Sequence, residues 1–406
     1  MSLTKLQSYF ADYVAELHAK GIAKGDEKII VGLRPPQDGY SERYFLEGYG
    51  ERAFMRMNSN SYLGLSLHPR LIEAEARAAE LFGTGPGAVR FISGTYAQHI
   101  ELERELAAFH GRESAMVMSA AYATVIGVLP QLITRDTLVV SDALNHNCII
   151  NAMRLSQPAG KVVYRHLDLK ELNDALAAAS GKVKRVCVVT DGVFSMRGDY
   201  APLDEIAAIC DRHEPAFVEG IITVVDDSHG VGAFGGSGRG TEEQTGGRAD
   251  ILIGTLGKAF GVNGGYVVAD AATIGFLREY SPTYIYSNPI TPAEAAAATE
   301  SVRILEGAEG RLRLANLSKR SAQLRTALTE LGYETIAGDH PIVPIMIRDT
   351  DKTSALVARL FENNILATGL NYPVVPKGDE EIRLQVSAGH TEGDVQFLLE
   401  VLKEFG

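Results

Sequence analysis

The stretch Gly254-Thr255-Leu256-Gly257-Lys258-Ala259-Phe260-Gly261 places one lysine in a glycine-rich turn, directly after the apolar run Ile251-Leu252-Ile253. Such a run is typical of a buried strand. Burial beside it would lower the pKa of Lys258, and imine formation with an aldehyde requires a lysine that is neutral part of the time. We therefore interpret Lys258 as a Schiff-base lysine.

Two other interpretations compete for this stretch. A phosphate-binding loop also begins with Gly-Lys after a strand, but the Walker pattern requires glycine where Leu252 stands and serine or threonine where Ala259 stands. A solvated lysine in an ordinary turn is the second alternative, and the motif taken alone does not decide against it.

Apolar runs on both sides of this stretch alternate with helical patterns between about residues 51 and 290. The runs that predict strands are Ser114 to Met118, Thr137 to Val140, Arg185 to Val189, Ile221 to Val225, Ile251 to Ile253 and Gly265 to Ala269. This alternation predicts a large, mostly parallel α/β sheet. We expect residues 1–50 to form an N-terminal helix, ending near Gly21, and an entry segment, and residues 291–406 to form a smaller C-terminal α/β domain.

Composition excludes several classes of protein. With 406 residues and 46% hydrophobic content the chain can bury a large core, and its net charge of −12 argues against nucleic-acid or anionic-membrane binding. No run approaches the ~18 apolar residues of a membrane span, and the first residues lack a signal-peptide core, so we expect a cytoplasmic protein. The three cysteines show no paired spacing, which predicts neither a disulfide framework nor a metal site.

Polar residues follow the predicted strands, where ligands bind in open α/β sheets. Small residues around Ala121 and Tyr122 leave backbone N–H groups at a helix start, which is suited to an anion, although an ordinary turn fits that segment equally well. His146 is either a satisfied loop histidine or a group stacked on a flat ring. Asp191 and Ser195 lie at the same edge, where each could simply form a turn.

The strongest of these segments is Asp226-Asp227-Ser228-His229, which follows the apolar run ending at Val225. Metal binding is the alternative for two acids and a histidine. A pyridinium nitrogen, however, needs a carboxylate beside it to stay protonated, and pyridoxal phosphate offers both that nitrogen and an aldehyde for lysine. The sequence therefore predicts a pyridoxal phosphate site with Asp226 opposite the ring nitrogen.

These motifs, in this order, resemble the α-oxoamine synthases, which are fold-type I pyridoxal phosphate-dependent transferases. The resemblance covers nearly the whole chain from about residue 50, and the motifs are most similar to the 2-amino-3-ketobutyrate CoA ligase (glycine C-acetyltransferase) branch. The motifs are Val89 to Thr95, Ser141 to His146, Asp226 to His229, Gly254 to Ala259 and Tyr372 to Gly378.

The resemblance implies a role for each cofactor residue. Lys258 would bind the cofactor covalently and move the α-proton, Asp226 would contact the pyridine nitrogen, and His146 would stack on the ring. The remaining implied contacts are His229 and Ser195 to the phenolic oxygen, and Ala121, Tyr122, Thr255 and, from a second protomer, Ser287 or Asn288 to the phosphate. Family members are dimers with shared sites, so we expect a homodimer.

The resemblance also implies the substrates. Arg383 matches the arginine that grips the amino-acid carboxylate, with Asn60 assisting and Asp191 as an acidic neighbour. The implied activity is that of a C-acyltransferase, which condenses a small amino acid with an acyl-CoA to give a 2-amino-3-oxo acid and CoA. Glycine and acetyl-CoA are favoured.

Two other activities stay open. A decarboxylating synthase would use alanine, serine or glycine with a longer acyl-CoA, as 8-amino-7-oxononanoate and 3-ketosphinganine synthases do. An aminotransferase or decarboxylase on the same fold would need no CoA. Departures from the ligase pattern at Arg197, at Pro289 and in residues 217–220 leave both substrates undetermined.

Overall fold

The computed structural model describes residues 3–20, 23, 27–372 and 374–405. Within these residues the strands, in chain order, are β1 (Ile30–Arg34), β2 (Arg43–Leu46), β3 (Ala53–Arg56), β4 (Ser114–Met118), β5 (Thr137–Asp142), β6 (Gly160–Tyr164), β7 (Arg185–Asp191), β8 (Ile221–Asp226), β9 (Ile251–Thr255), β10 (Gly265–Ala269), β11 (Ile342–Met346), β12 (Ile365–Leu366), β13 (Thr368–Leu370) and β14 (Glu381–Gln385).

The α-helices of the same residues, in chain order, are α1 (Leu3–Ala19), α2 (Pro69–Phe82), α3 (Ala97–Phe109), α4 (Ala121–Leu132), α5 (Asn147–Leu155), α6 (Leu169–Ala179), α7 (Leu203–His213), α8 (Thr241–Thr245), α9 (Ala271–Tyr280), α10 (Pro282–Ile285), α11 (Pro292–Glu306), α12 (Ala308–Glu330), α13 (Thr350–Glu362) and α14 (Glu392–Lys403). Among them, none is long and apolar enough to cross a membrane.

A seven-stranded sheet in the order β4-β10-β9-β8-β7-β5-β6 forms the centre of the fold. Strands β9, β8, β7, β5 and β6 pair in parallel, and β10 runs antiparallel between β9 and β4. The predicted α/β fold with a large, mostly parallel sheet is therefore confirmed. The carboxyl ends of β5, β7 and β8 meet at one edge, where a doubly wound sheet binds ligands.

Both faces of this sheet are covered, because successive strand residues point to opposite sides. In β9, Leu252 belongs to one large apolar cluster, whereas Ile251 and Ile253 belong to a second cluster on the other face. This two-sided burial explains why the sequence shows continuous apolar runs here and no alternation.

Two smaller sheets join distant parts of the chain. The order β1-β2-β3-β12 brings β12 from the C-terminal part against β3, in parallel, and β11-β14-β13 forms a separate antiparallel sheet. The division into residues 1–50, 51–290 and 291–406 stays a prediction, and the pairing of β3 with β12 links the second of these segments to the third.

The helices near the two ends of the chain show two features. Helices α11 and α12 meet at Gly307, and α14 begins where the Thr391 side chain accepts a hydrogen bond from the Asp394 N–H. The predicted N-terminal helix is α1, and it buries none of its residues. Gly21, its expected end, lies outside the described residues.

Candidate active site

A cavity of about 250 Å³ opens at the carboxyl edge of the large sheet. Its lining residues end or follow five strands, β4, β5, β7, β8 and β9: Ala121, Tyr122, His146, Cys148, Asp191, Val193, Ser195, Asp226, Ser228, His229, Thr255 and Lys258. Nine of the twelve predicted site residues are therefore brought to one place.

Lys258 and Asp226 are the oppositely charged groups of the cavity. Lys258 is half-buried in the turn after β9, and burial lowers its pKa to about 8, although the Asp226 carboxylate acts in the opposite direction. Asp226 ends β8 and is 6% exposed, and its Oδ1 accepts hydrogen bonds from the Ser228 hydroxyl at 2.5 Å and N–H at 3.2 Å. The cavity thus contains an amine that is easily deprotonated and a carboxylate of fixed orientation.

His146 is held by both its backbone and its ring. Its N–H donates to Asp191 Oδ2 at 3.0 Å, and its Nδ1 caps α5 by accepting the Cys148 N–H at 3.3 Å. Burial lowers the pKa of His146 and raises that of Asp191, whose Oδ1 is buried with no hydrogen-bond partner among the described residues. Asp191 therefore positions His146, and its expected contact with substrate stays a prediction.

His229 belongs to a buried network beneath the cavity. Its Nδ1 lies 2.7 Å from the Tyr62 hydroxyl, and its backbone carbonyl accepts a hydrogen bond from His340 Nε2 at 2.9 Å. Burial, reinforced by the positive charge of Lys258, lowers the pKa of His229 well below its ordinary value. The ring is therefore a neutral donor or acceptor with a fixed orientation.

Backbone N–H groups face the cavity at the start of α4. The first hydrogen bond within this helix runs from the Thr124 N–H to the Ala120 carbonyl, so the N–H groups of Ala121 and Tyr122 precede it. Gly265 packs directly behind them, since a Cβ there would lie 2.3 Å from the Ala121 nitrogen. This helix start offers the N–H donors that a phosphate group needs. The Thr255 hydroxyl lines the same cavity and donates to the Gly264 carbonyl at 3.2 Å, so its expected contact with the phosphate stays a prediction.

Arg383 and Asn60 lie beside the cavity and are not part of its lining. Arg383 Nη1 donates to the Ser195 carbonyl at 2.8 Å, and its buried Nε has no partner among the described residues. Asn60 Oδ1 accepts hydrogen bonds from the Tyr62 hydroxyl and from Gln385 Nε2. Both predicted substrate residues therefore border the cavity on the side where β14 approaches it.

Ser287 is the predicted site residue that lies apart. It follows α10 and is not among the described residues that line its own protomer's cavity, and its expected contact across a dimer interface stays a prediction. The sequence did not indicate Cys148, Ser228 or Tyr62. The first two are near neighbours of predicted residues, whereas Tyr62 is 167 positions from its partner His229, and no local pattern reveals such a contact.

Comparisons with known proteins agree with this geometry. The family model for class I and II aminotransferases matches residues 52–402. An 8-amino-7-oxononanoate synthase of Thermosipho melanesiensis is 36% identical over 401 residues, covering 98% of this chain and 97% of the relative. The 8-amino-7-oxononanoate synthase 2 of Bacillus subtilis is 39% identical over 350 residues, covering 86% of this chain and 87% of the relative. The solved serine palmitoyltransferase of Sphingomonas wittichii has a TM-score of 0.88 at 28% identity, covering 100% of this chain and 98% of that one.

The chain belongs to the α-oxoamine synthases, within the class I and II aminotransferase family. It is a pyridoxal phosphate-dependent C-acyltransferase, and a solved serine palmitoyltransferase that carries this cofactor matches it with a TM-score of 0.86 at 26% identity over 100% of this chain and 98% of that one. The relatives carry the name of 8-amino-7-oxononanoate synthase, so they favour the decarboxylating alternative over the expected similarity to the ketobutyrate ligase branch.

The residues of the cavity fit this cofactor by the chemistry of their donors and acceptors. An aldehyde requires an amine of low pKa, a ring nitrogen requires a carboxylate, and a phosphate requires N–H donors at a helix start. Lys258, Asp226 and the first turn of α4 supply these groups around one space.

Proposed function

We propose that this α-oxoamine synthase is of the 8-amino-7-oxononanoate type and joins a small amino acid, alanine, to a long acyl-CoA with loss of carbon dioxide. Support comes from the cavity that groups Lys258 with Asp226, which accounts for the cofactor, and from relatives of this one name that cover nearly the whole chain. The identity of the two substrates rests on those relatives.

The product name fixes the atoms that must be supplied. In 8-amino-7-oxononanoate the amino carbon and the terminal methyl group come from alanine after it has lost its carboxylate as carbon dioxide. The remaining carbons form a seven-carbon acyl group that ends in a carboxylate. One carbon–carbon bond forms at the acyl carbonyl, the thioester bond to sulfur breaks, and a proton returns to the amino carbon.

Three groups of this chain would hold the cofactor and its ring. The N–H groups at the start of α4 would bind the phosphate, Asp226 would hold the pyridine nitrogen, and His146 would stack on the ring. When bound, pyridoxal phosphate supplies an electron sink for the bonds at the amino carbon. His229, neutral and fixed by Tyr62, is suited to a hydrogen bond with the phenolic oxygen.

Lys258 would act as the base and acid at the amino carbon of the substrate. Its pKa of about 8 allows the amine to remove a proton at neutral pH and to return it later. Arg383 would bind the substrate carboxylate through the part of its guanidinium that Ser195 leaves free, and Asn60 beside it would complete that contact.

The test is product analysis with the purified, cofactor-loaded protein. Alanine, serine and glycine are each combined with acyl-CoA substrates, from acetyl-CoA to a seven-carbon acyl-CoA with a terminal carboxylate, and free thiol, carbon dioxide and product mass are measured. We expect the highest kcat/KM with alanine and the seven-carbon substrate, and one carbon dioxide for each CoA released.

Other outcomes have defined meanings. Thiol release from glycine and acetyl-CoA without carbon dioxide would replace this proposal with the ketobutyrate ligase reaction, and turnover without any acyl-CoA would contradict both. The matched variants are Arg383→Lys and Arg383→Gln. The glutamine variant should raise KM for the amino acid about 10- to 100-fold through loss of a charged hydrogen bond, with a smaller effect in the lysine variant.

A homodimer with shared sites is also part of this proposal. Support comes from apolar residues of α1 that lie exposed, including Leu6 and Phe10 at 47% and 55%, and from Ser287, which is not among the described lining residues of its own protomer's cavity. Activity per subunit should fall on dilution in parallel with the fraction of dimer measured by light scattering. The cytoplasmic location stays a prediction.

A further inference from the structure

Cys148 lies between two residues of the predicted cofactor site. Its Sγ is 2.9 Å from His146 Nδ1 and 3.4 Å from Asp226 Oδ2, and the side chain is 1% exposed at the start of α5. Its spacing from the other two cysteines suggests neither a disulfide nor a metal site, so no sequence pattern singles it out.

The direction of its hydrogen bond follows from the neighbouring groups. Burial and the Asp226 carboxylate raise the pKa of Cys148, so the sulfur keeps its proton. His146 Nδ1 already accepts the Cys148 backbone N–H at 3.3 Å, whereas an ionised carboxylate has no proton and accepts only. Asp226 Oδ2 is therefore the better acceptor for the thiol proton.

Metal binding is the rival explanation for this cluster, because one ligand atom from each of the three side chains lies within 4.8 Å of the others. Two ligands of a tetrahedral zinc ion, one nitrogen and one sulfur, would lie about 3.5 Å apart. The separation of 2.9 Å between Nδ1 and Sγ is shorter than that, so the three side chains are not spaced for a zinc ion.

We propose that Cys148 is a positioning residue whose thiol donates to Asp226 Oδ2 and holds this oxygen toward the cofactor. Each oxygen of Asp226 would then accept a hydrogen bond from the protein, Oδ1 from the Ser228 hydroxyl and Oδ2 from the Cys148 thiol. The inference rests on the proposed role of Asp226 opposite the pyridine nitrogen. A donor to a carboxylate favours its charged form, which keeps the proton on the ring nitrogen and preserves the electron sink.

The experiment compares Cys148→Ala and Cys148→Val, which lack the donor, with Cys148→Ser, which retains one. Cys187→Ala is the matched control, because Cys187 is also fully buried and lies in an apolar cluster away from the cavity lining. Two quantities are measured in cofactor-loaded protein: the pH midpoint of the absorbance of the lysine-linked cofactor, and the exchange of the amino-acid α-hydrogen for deuterium without acyl-CoA.

We expect the alanine and valine variants to slow α-hydrogen exchange about 2- to 10-fold, as loss of one uncharged donor predicts, with KM for the amino acid unchanged. Their absorbance midpoint should rise, because a ring nitrogen that keeps less of its proton withdraws fewer electrons from the lysine link. The serine variant should leave the midpoint unchanged or move it in the opposite direction, and Cys187→Ala should match the unmodified protein.

Three results would overturn the inference. The first is that the alanine and valine variants have the same absorbance midpoint and exchange rate as the unmodified protein. The second is a serine variant whose midpoint shifts in the same direction as that of the alanine variant, and the third is stoichiometric Zn²⁺ binding that Cys148→Ala abolishes. If none of the Cys148 variants folds, the cysteine serves packing and the inference also fails. Failure of the proposed cofactor role of Asp226 gives a different result from failure of this inference. In that case the unmodified protein would show no absorbance of lysine-linked cofactor, or Asp226→Asn would change neither the absorbance midpoint nor the rate of α-hydrogen exchange.

Discussion

The rate at which the protein links to its cofactor should report the pKa of Lys258. Burial lowers this pKa from 10.5 to about 8, so at pH 8 about half of the amine is neutral, compared with ~0.3% of an unperturbed lysine. Because only the neutral amine attacks an aldehyde, the buried position should increase the reactive fraction at pH 8 about 150-fold.

The assay mixes cofactor-free protein with pyridoxal phosphate between pH 6.5 and 10.5 and follows absorbance by stopped flow. Below pH 8 the second-order rate constant should rise about tenfold for each pH unit, and above pH 9 it should level off. Nα-acetyl-lysine, measured under the same conditions, provides the unshifted amine and corrects for titration of the cofactor itself. Borohydride trapping and peptide mapping locate the modified residue.

Two variants test the electrostatic part of this argument. The Arg383 guanidinium lowers the pKa of Lys258, so Arg383→Gln should move the midpoint of the rate profile upward, whereas Arg383→Lys keeps the charge and should move it less. The reasoning is refuted if the rate constant of the unmodified protein continues to rise tenfold per unit through pH 10, as it does for the free amine.

Three further predictions concern the frame around the site. Gly265→Ala should weaken cofactor affinity, measured by fluorescence titration, about tenfold, because its Cβ would lie 2.3 Å from the first backbone nitrogen of α4 and displace a phosphate donor. Gly275→Ala is the control and should have no effect, because there is open space around Gly275. The buried guanidinium of Arg43 lies 2.6 Å from the carboxylate of Asp394. Asp394→Ala would leave this guanidinium without a counter-charge, so it should lower the free energy of unfolding in urea by about 3 to 5 kcal/mol. A loss below about 1 kcal/mol would contradict this prediction. His166 lies between two carboxylates that raise its pKa to about 9 despite burial, so its stabilising contribution should be complete below about pH 6.5 and disappear as the pH rises through 9. A His166→Gln variant should lack that part of the pH dependence, and parallel curves for the two proteins would rule it out.

The sequence predicts the large sheet well because its strands are buried on both faces. Continuous apolar runs locate β4, β5, β7, β8, β9 and β10, with the carboxyl ends misplaced by at most two residues. The sequence does not reveal strand β6, because exposed residues such as Lys161 alternate in it with less exposed ones. Strand β4 lies at the opposite edge of the sheet but is buried along most of its length, so its apolar run is continuous. An apolar run therefore reports burial of a strand, whatever its place in the sheet.

The site is predictable where its residues follow strands directly. Lys258, Asp226 and His146 each stand in a short segment whose position in the sheet determines where the side chain lies. The residues that support these side chains are not predictable in the same way. The hydroxyl of Tyr62 contacts His229, and the thiol of Cys148 contacts Asp226, only after distant elements have packed together. Their chemistry is readable from the sequence, but their neighbours are not.

The pairing of β3 with β12 has a consequence for the order in which the protein is completed during synthesis. Residues 53–56 leave the ribosome early but can pair with residues 365–366 only after those are synthesised. The hydrogen bond between Asn60 and Gln385 likewise requires a residue 325 positions later. Contacts of such long sequence separation form late. A nascent chain that has released β10, which joins β4 to β9, would contain the residues that bind the cofactor's ring and phosphate, but it would still lack Arg383 and Gln385 for binding the amino acid. Cofactor capture and substrate recognition are therefore separable stages of biogenesis, which ribosome-bound chains of increasing length would resolve.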